Sequence, residues 1–432
     1  MTRLQLRCCC LLVLVLLLPL PAPAYSVLTH EELIDFAWND SIRPLLLSRY
    51  PGTSEAALQV AHAYAYGGSA IQDMGYYPFG KQFFSNLTHY VRTGDFIDSL
   101  FRNARNVNEL AFAIGALSHY LGDNIGHSEC INPATAIEFP RLRKKYGELV
   151  TYDQSPHGHV RTEFAFDIDQ LSHHRLAPEA YLNHIGLAVP RRLVERAFYE
   201  TYGLSLREVL GPERPAITSY RRSVRSFVPR FAHAETVLHK NFPPDIEDEA
   251  FQHFEHEVEH ADFQKHWANN RRHPGFITHL VAIAIFILPK VGPLSDLSIR
   301  GPEKQTQQWY MRSVDDTMKR FRSILHEVRE HPATVIELPN SDLDTGNPIQ
   351  PGTYALTDET YAALLHRITV NPGRTVPPGV RRDLLGFYSD PNAPIATKAN
   401  AEAWERVQQE LAVLKKMPLR ESPPPGFLME DR

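Results

Sequence analysis

Cysteine is almost missing. The 432-residue chain has 4, and Cys8, Cys9 and Cys10 stand together in an apolar N-terminal run, so Cys130 is the single thiol beyond it. That excludes an internal disulfide downstream of the run, and with it any multi-cysteine zinc site. Surplus positive charge is missing too. The formal net charge is −5, a poor match to nonspecific nucleic-acid binding, and no stable nucleic-acid partner is expected. Few stretches alternate with period two, and no internal repeat occurs. Beyond the N-terminus no hydrophobic run is long enough to span a bilayer: FITHLVAIAIFILPKVGPL, residues 276 to 294, is stopped short by Pro289 and Lys290 and reads as a core helix rather than a membrane-docking one.

The N-terminus itself has the parts of a secretion signal. Arg3 and Arg7 precede the apolar run, and Ala22 and Ala24 occupy the small-residue positions of a cleavage site before Tyr25. Residues 1–24 are therefore expected to be removed, and the mature protein is expected to be secreted, extracellular or periplasmic. After cleavage the chain is more acidic by two charges, and something other than disulfides must hold it together outside the cell.

Apolar residues recur at three- and four-residue spacing in HEELIDFAWNDSIRPLLL, NVNELAFAIGALSHYLGD, PRRLVERAFYETYG and QTQQWYMRSVDDTMKRFRSILHEV. This predicts a mostly α fold of many helices, punctuated by Gly and Pro pairs such as Pro51-Gly52 and Gly211-Pro212. Composition changes after residue 338, where PNSDLDTGNPIQPGTY is turn-rich. The expected organisation is a helical domain over 25–338 with its functional core in 25–170, then a Pro-studded helical extension over 339–432 ending in a disordered tail.

Histidine is plentiful: 21 residues, roughly twice an average share. In HYLGDNIGH, His119, Asp123 and His127 stand four apart and so lie along one slowly drifting helical face. A polar stripe explains any one of them; three in line suit metal ligands better. HGHVRTEF repeats the logic, with His159 and Glu163 four apart as an imidazole-carboxylate claw and His157 as a loop neighbour. IQDMGYYPFG offers Asp73 and NLTHYVRTGDF offers His89. The mature N-terminus, YSVLTHEEL, offers His30 and the α-amine of Tyr25, a usable nitrogen ligand once deprotonated.

The order of these elements resembles the zinc-dependent phospholipase C family and its relatives, the S1/P1 nucleases, over roughly 25–167, with HYLGD the most recognisable string. The resemblance implies a multi-helix domain that holds three zinc ions and hydrolyses phosphodiesters. It places Asp73, His89, His119 and Asp123 around one zinc, with Asp123 bridging to a second held by His30 and by the amine and carbonyl of Tyr25. His127, His159 and Glu163 are placed on the third. It further implies a metal-activated hydroxide as nucleophile, oriented or deprotonated by Asp73. Two departures stand out: Asp123 and His127 enclose three residues where family members commonly have five, and Tyr25 stands where Trp is frequent.

THEEL, the aromatic loop and the short helix spacing lean towards the phospholipase branch, which makes a phospholipid headgroup ester the expected substrate. An S1/P1-type nuclease and a metal-stabilised binding protein are the alternatives. Tyr76, Tyr77 and Phe79, next to Asp73, form either a lip or cradle for a lipid headgroup or ordinary packing. Arg141 to Lys145, RLRKK, is either a contact for anionic headgroups at a membrane surface or a solvated run. His253, His256 and His260 share a helical face and read as solvated rather than as an accessory metal site. The loop Asn340, Asp342, Asp344, Gly346 resembles a calcium loop but has no closing Glu, and reads as a turn. Nothing in the sequence bears on oligomeric state.

Overall fold

Residues 107–126, VNELAFAIGALSHYLGDNIG, are apolar on every face rather than on one stripe, and such a helix belongs in the middle of a fold. In the computed structural model, which describes residues 26–229, 232, 236, 248–267, 301–332 and 336–423, it is the central helix. The expected mostly α class is the class observed. Among the described residues there is no strand, only the isolated bridges Ser341 to Pro348 and Val376 to Leu419. No helix among them is long and apolar enough to cross a membrane. The stretch 276–294, the region before Ser26 and the end of the tail lie outside the described residues.

The helices that build the site are α1 (Val27–Ala37), α2 (Glu55–Gly68), α3 (Gln82–Tyr90), α4 (Val107–Gly126), α5 (Pro140–Tyr146), α6 (Pro156–Ser172), α7 (Lys304–Glu330) and α8 (Ala355–Thr369). The central α4 starts where the Asn106 side chain accepts from the backbone N–H groups of Asn108 and Glu109, a side-chain cap for otherwise unpaired donors. Helices α1, α2 and α7 all pack on it. Glycine sets the closest approach. A Cβ on Gly68 would lie 2.1 Å from the Phe112 carbonyl oxygen, and one on Gly115 would lie 2.0 Å from that of Ala65, so α2 and α4 touch backbone to backbone.

Helix α1 is buried at every residue and has no capping side chain of its own. Asp167, on α6, performs that task across the fold. Its carboxylate accepts from Leu28 N (3.1 Å), Thr29 N (3.2 Å) and Thr29 Oγ1 (2.7 Å).

Three π turns, Trp38–Ile42, His127–Ile131 and Ser223–Phe227, share a cause. Each is followed two residues on by a proline: Pro44, Pro133 and Pro229. Proline lacks the N–H that would bond the carbonyl four residues back, and its ring crowds that carbonyl. The turn before it widens. Arg43, Asn132 and Val228 accordingly donate to the carbonyls five residues back, those of Trp38, His127 and Ser223. One of these turns thus begins at a candidate ligand, His127.

Beyond residue 338 the chain folds back onto the earlier helices. Tyr120 Oη donates to the Pro339 carbonyl (2.6 Å), Thr93 Oγ1 to the Ser341 carbonyl (2.7 Å) and Leu343 N to the His89 carbonyl (3.0 Å). Helix α8 then packs on α3 and on the helix Ala401–Leu414.

Because the α2–α4 crossing leaves no room for a methyl group, Gly115→Ala is expected to destabilise the protein by about 1–3 kcal/mol. Calorimetry reads this as a lowered melting temperature. An unchanged melting temperature would show that the backbones part at no cost.

Candidate metal centre

Successive residues of an α-helix turn by about 100°, so each step of four advances the face by about 40°. His119 and Asp123 therefore point almost together, whereas His127 points well aside and starts the π turn. The three cannot serve one ion. They can serve neighbouring ones.

His89 of α3, Asp73 of the short 3-10 turn Gln72–Tyr76, and His119 and Asp123 of α4 meet around one point. His89 Nε2 lies 3.3 Å from Asp73 Oδ1 and 3.2 Å from Asp123 Oδ2. His119 Nε2 lies 3.1 Å from Asp123 Oδ2, 4.0 Å from Asp73 Oδ1 and 3.4 Å from His89 Nε2. Four atoms about 2.0–2.2 Å from a shared zinc stand about 3.3–3.6 Å apart at the corners of a tetrahedron, close to this set. The other oxygen of Asp123, Oδ1, lies 3.2 Å from His30 Nε2, and the His30 ring stacks on His119 with centroids 4.2 Å apart. Asp123 thus offers one oxygen to each of two histidine groups.

The far ring nitrogens fix which lone pairs face inward. His119 Nδ1 is 3.0 Å from the Ser69 carbonyl and His89 Nδ1 is 2.7 Å from the Ser85 carbonyl. A carbonyl only accepts, so both Nδ1 atoms carry a proton, and in the neutral, metal-binding form of each ring it is the Nε2 lone pair that faces inward.

A second group forms where α6 passes the start of the π turn. His159 Nε2 lies 3.0 Å from Glu163 Oε1, and His127 Nε2 lies 3.8 Å from the same oxygen. The two rings are 4.7 Å apart. Asp344 joins them from the fold-back turn, its Oδ1 being 3.2 Å from His127 Nδ1 and 3.9 Å from His159 Nε2.

None of these residues is more than 3 % exposed. Both oxygens of Asp73, Asp123 and Glu163, and the Nε2 atoms of His127 and His159, nevertheless make no hydrogen bond. They crowd one another at about van der Waals distance without aiming at one another, which is how donors arranged around a shared cation stand. Buried polar atoms left unpaired are costly, and a dication satisfies all of them together. The donor set of neutral imidazole and carboxylate, without thiolate, suits zinc.

The electrostatics agree. Burial disfavours the His89 cation, yet the Asp123 and Asp73 carboxylates beside it hold its pKa up to about 10. The same field attracts a dication. Burial, then the neighbouring His127 imidazole, pushes His159 down to about 3. Burial, then Asp123, Asp73 and Asp344, raises Glu163 well above the usual carboxylate range.

Of the residues singled out from the sequence, His30, Asp73, His89, His119, Asp123, His127, His159 and Glu163 are brought together, and Tyr25 lies outside the described residues. His157 is exposed in the first turn of α6. The aromatic trio divides. Tyr76 stands by the centre, 6.1 Å from His89 and 6.3 Å from Tyr152 between ring centroids. Tyr77 is packed in the core against Tyr220, and Phe79 is 71 % exposed. His256 and His260 stack, and His253 reaches Asp315; they join no three-donor group among the described residues. Residues 340–346 do form a turn, as read, but Asp344 within it belongs to the centre. The dense Asp and Asn spacing of that loop was the available signal.

Residues 29–211 match the family described as zinc dependent phospholipase C. No curated protein and no solved structure matches the chain. The matched span contains every one of the converging residues except Asp344.

Chelation is expected to lower the melting temperature, each ion held at 100-fold above its Kd supplying roughly 3 kcal/mol of stability. His119→Ala and Glu163→Ala should each lose at least one zinc per chain by elemental analysis. Full zinc content in both variants would refute the grouping.

Proposed function

With residues 29–211 belonging to the zinc dependent phospholipase C family, we propose that the protein is a secreted phosphodiesterase that hydrolyses a phospholipid headgroup ester at a trinuclear zinc site. The observation that carries this reading is the division of Asp123, whose two oxygens face separate histidine groups, as a carboxylate bridging paired ions must. Asp73, His89, His119 and Asp123 would hold one zinc. His30 and Asp123, with the amine and carbonyl of Tyr25, would hold the second, and His127, His159 and Glu163 the third. Bound zinc supplies Lewis acidity towards phosphoryl oxygens and brings the pKa of water down towards ~7.

The chain's own groups do the rest. Asp73 is fully buried and commits neither oxygen to a hydrogen bond, which leaves it able to orient the attacking water or take its proton. Water adds to phosphorus, the bond to the leaving alcohol breaks, and that alcohol gains a proton. Tyr76 and Tyr152 provide aromatic walls beside His89 and His159, faces suited to an acyl-glycerol backbone or a quaternary ammonium headgroup.

Lipid is favoured over DNA by what surrounds the centre. Phe79 projects into solvent from a left-handed backbone, φ +65°, a conformation that costs a bulky residue about 1–3 kcal/mol. Leu149, three residues before Tyr152, is 55 % exposed. Helix α5 exposes Arg141, Arg143, Lys144 and Lys145 just before it. Exposed apolar tips and an exposed basic helix are the elements by which a protein docks on an anionic membrane surface.

The decisive assay offers phosphatidylcholine vesicles and a soluble phosphocholine ester beside single-stranded DNA. Zinc-dependent headgroup release is expected, and hydrolysis of DNA alone would replace this reading with the nuclease one. A protein retaining residues before Tyr25 is expected to bind one zinc fewer and to lose activity by on the order of 10²-fold, because an amide nitrogen cannot ligate. Equal zinc content in processed and unprocessed protein would overturn the role given to the amine.

A further inference from the structure

His127 is the least constrained of the ligands assigned above. It begins a π turn, with three residues rather than five between it and Asp123, and either of its ring nitrogens can face the centre. The side chain that decides between them comes from outside the matched span 29–211. Asp344 Oδ1 lies 3.2 Å from His127 Nδ1 in hydrogen-bonding geometry. A carboxylate accepts, so Nδ1 carries the proton and Nε2 is left to face Glu163 and His159.

Asp344 is itself held on all sides. Its second oxygen accepts from Tyr152 N (3.0 Å) and from the Tyr354 hydroxyl, which in turn accepts from Asp153 N (3.1 Å). Its own N–H is taken by Asp342 Oδ1 (3.0 Å), and its carbonyl by Asn132 Nδ2 (2.6 Å). The contrast with Glu163 is the argument. Both are buried carboxylates in the same group, but Glu163 has two oxygens without hydrogen bonds, whereas Asp344 has none. Unspent lone pairs belong to ligands, and spent ones to the groups that orient ligands.

We propose that Asp344 is a positioning residue for the third zinc, selecting the His127 tautomer that offers Nε2, so that the chain beyond the matched region completes the centre. This rests on the trinuclear reading given above. Tyr354 and the 341–348 turn act through Asp344, and the fold-back of the C-terminal segment thereby becomes part of metal binding.

The test is zinc titration against a competing chelator with the full processed chain, supported by X-ray absorption of the zinc-loaded protein. In Asp344→Ala the weakest site is expected to lose about 10–100-fold in affinity, with the number of protein ligands unchanged at saturating zinc. Tyr354→Phe, which removes one hydroxyl and keeps the ring, should weaken the same site by a smaller factor. Three results overturn the proposal. A lowered melting temperature with unchanged zinc affinity would make Asp344 purely structural. Loss of the site as complete as in Glu163→Ala, with one ligand fewer in the absorption spectrum, would make it a ligand. If the wild type holds no third ion, Glu163→Ala will also leave the zinc count unchanged, and that pair of results marks failure of the trinuclear reading itself.

Discussion

Four carboxylates, those of Asp73, Asp123, Glu163 and Asp344, are buried, and among the described residues their only ion-pair partners are imidazoles. Enclosing a carboxylate with no compensating charge costs several kcal/mol after relaxation. Imidazoles do not supply that charge dependably, since burial pushes His119 and His159 towards neutrality. Helices close over such a cluster when dications join it, and the binding free energy of those ions then becomes folding free energy. With Cys130 free and buried and no disulfide among the described residues, this is the constraint that the rest of the architecture serves.

The scaffold shows the cost of holding such a cluster in register. The central helix must carry His119 and Asp123 with little freedom, and the glycine contact between α2 and α4 sets its position to backbone precision. Ser69, whose carbonyl fixes the His119 ring, follows directly on α2, so one crossing determines both the place and the tautomer of that ligand. At the chain's beginning, Asp167 caps α1 from α6 and keeps His30 against Asp123. Burial raises Asp167 to about 6 despite the bonds it accepts, a sign of how little water reaches this region. Pre-organisation of this kind places donors before the metal arrives.

Most of the helices and the residues that converge were legible in the sequence, because both rest on local spacing: apolar residues at three and four, histidine and carboxylate at four. What was not legible is long-range. Asp344 looks like part of a turn because it is one, and only the return of the chain past Tyr120 and Thr93 brings it to His127. The split of Tyr76, Tyr77 and Phe79 among site, core and solvent was hidden for a related reason. Consecutive residues in an irregular turn have no fixed period to assign their faces. The π turns stood in between. The proline two residues beyond each of them was in plain view, but the widened turn it causes is seen only in the hydrogen bonds.

The short Asp123–His127 spacing gains its explanation from these pieces together. In a continuous α-helix a residue four beyond Asp123 is carried about 40° around the axis, enough to leave the group of His89 and His119 but with its ring direction set only by its own backbone. The π turn before Pro133 begins there: His127 N–H still bonds the Asp123 carbonyl, but its own carbonyl accepts from Asn132, five residues on, and its side chain is left to be locked from elsewhere. Freedom is a liability for a ligand, since each unlocked rotor must be ordered when the ion binds. The hydrogen bond from His127 Nδ1 to Asp344 removes it. The helix, the proline after it and the returning turn therefore act together: the first delivers the imidazole, the second widens the turn that starts at it, and the third aims it.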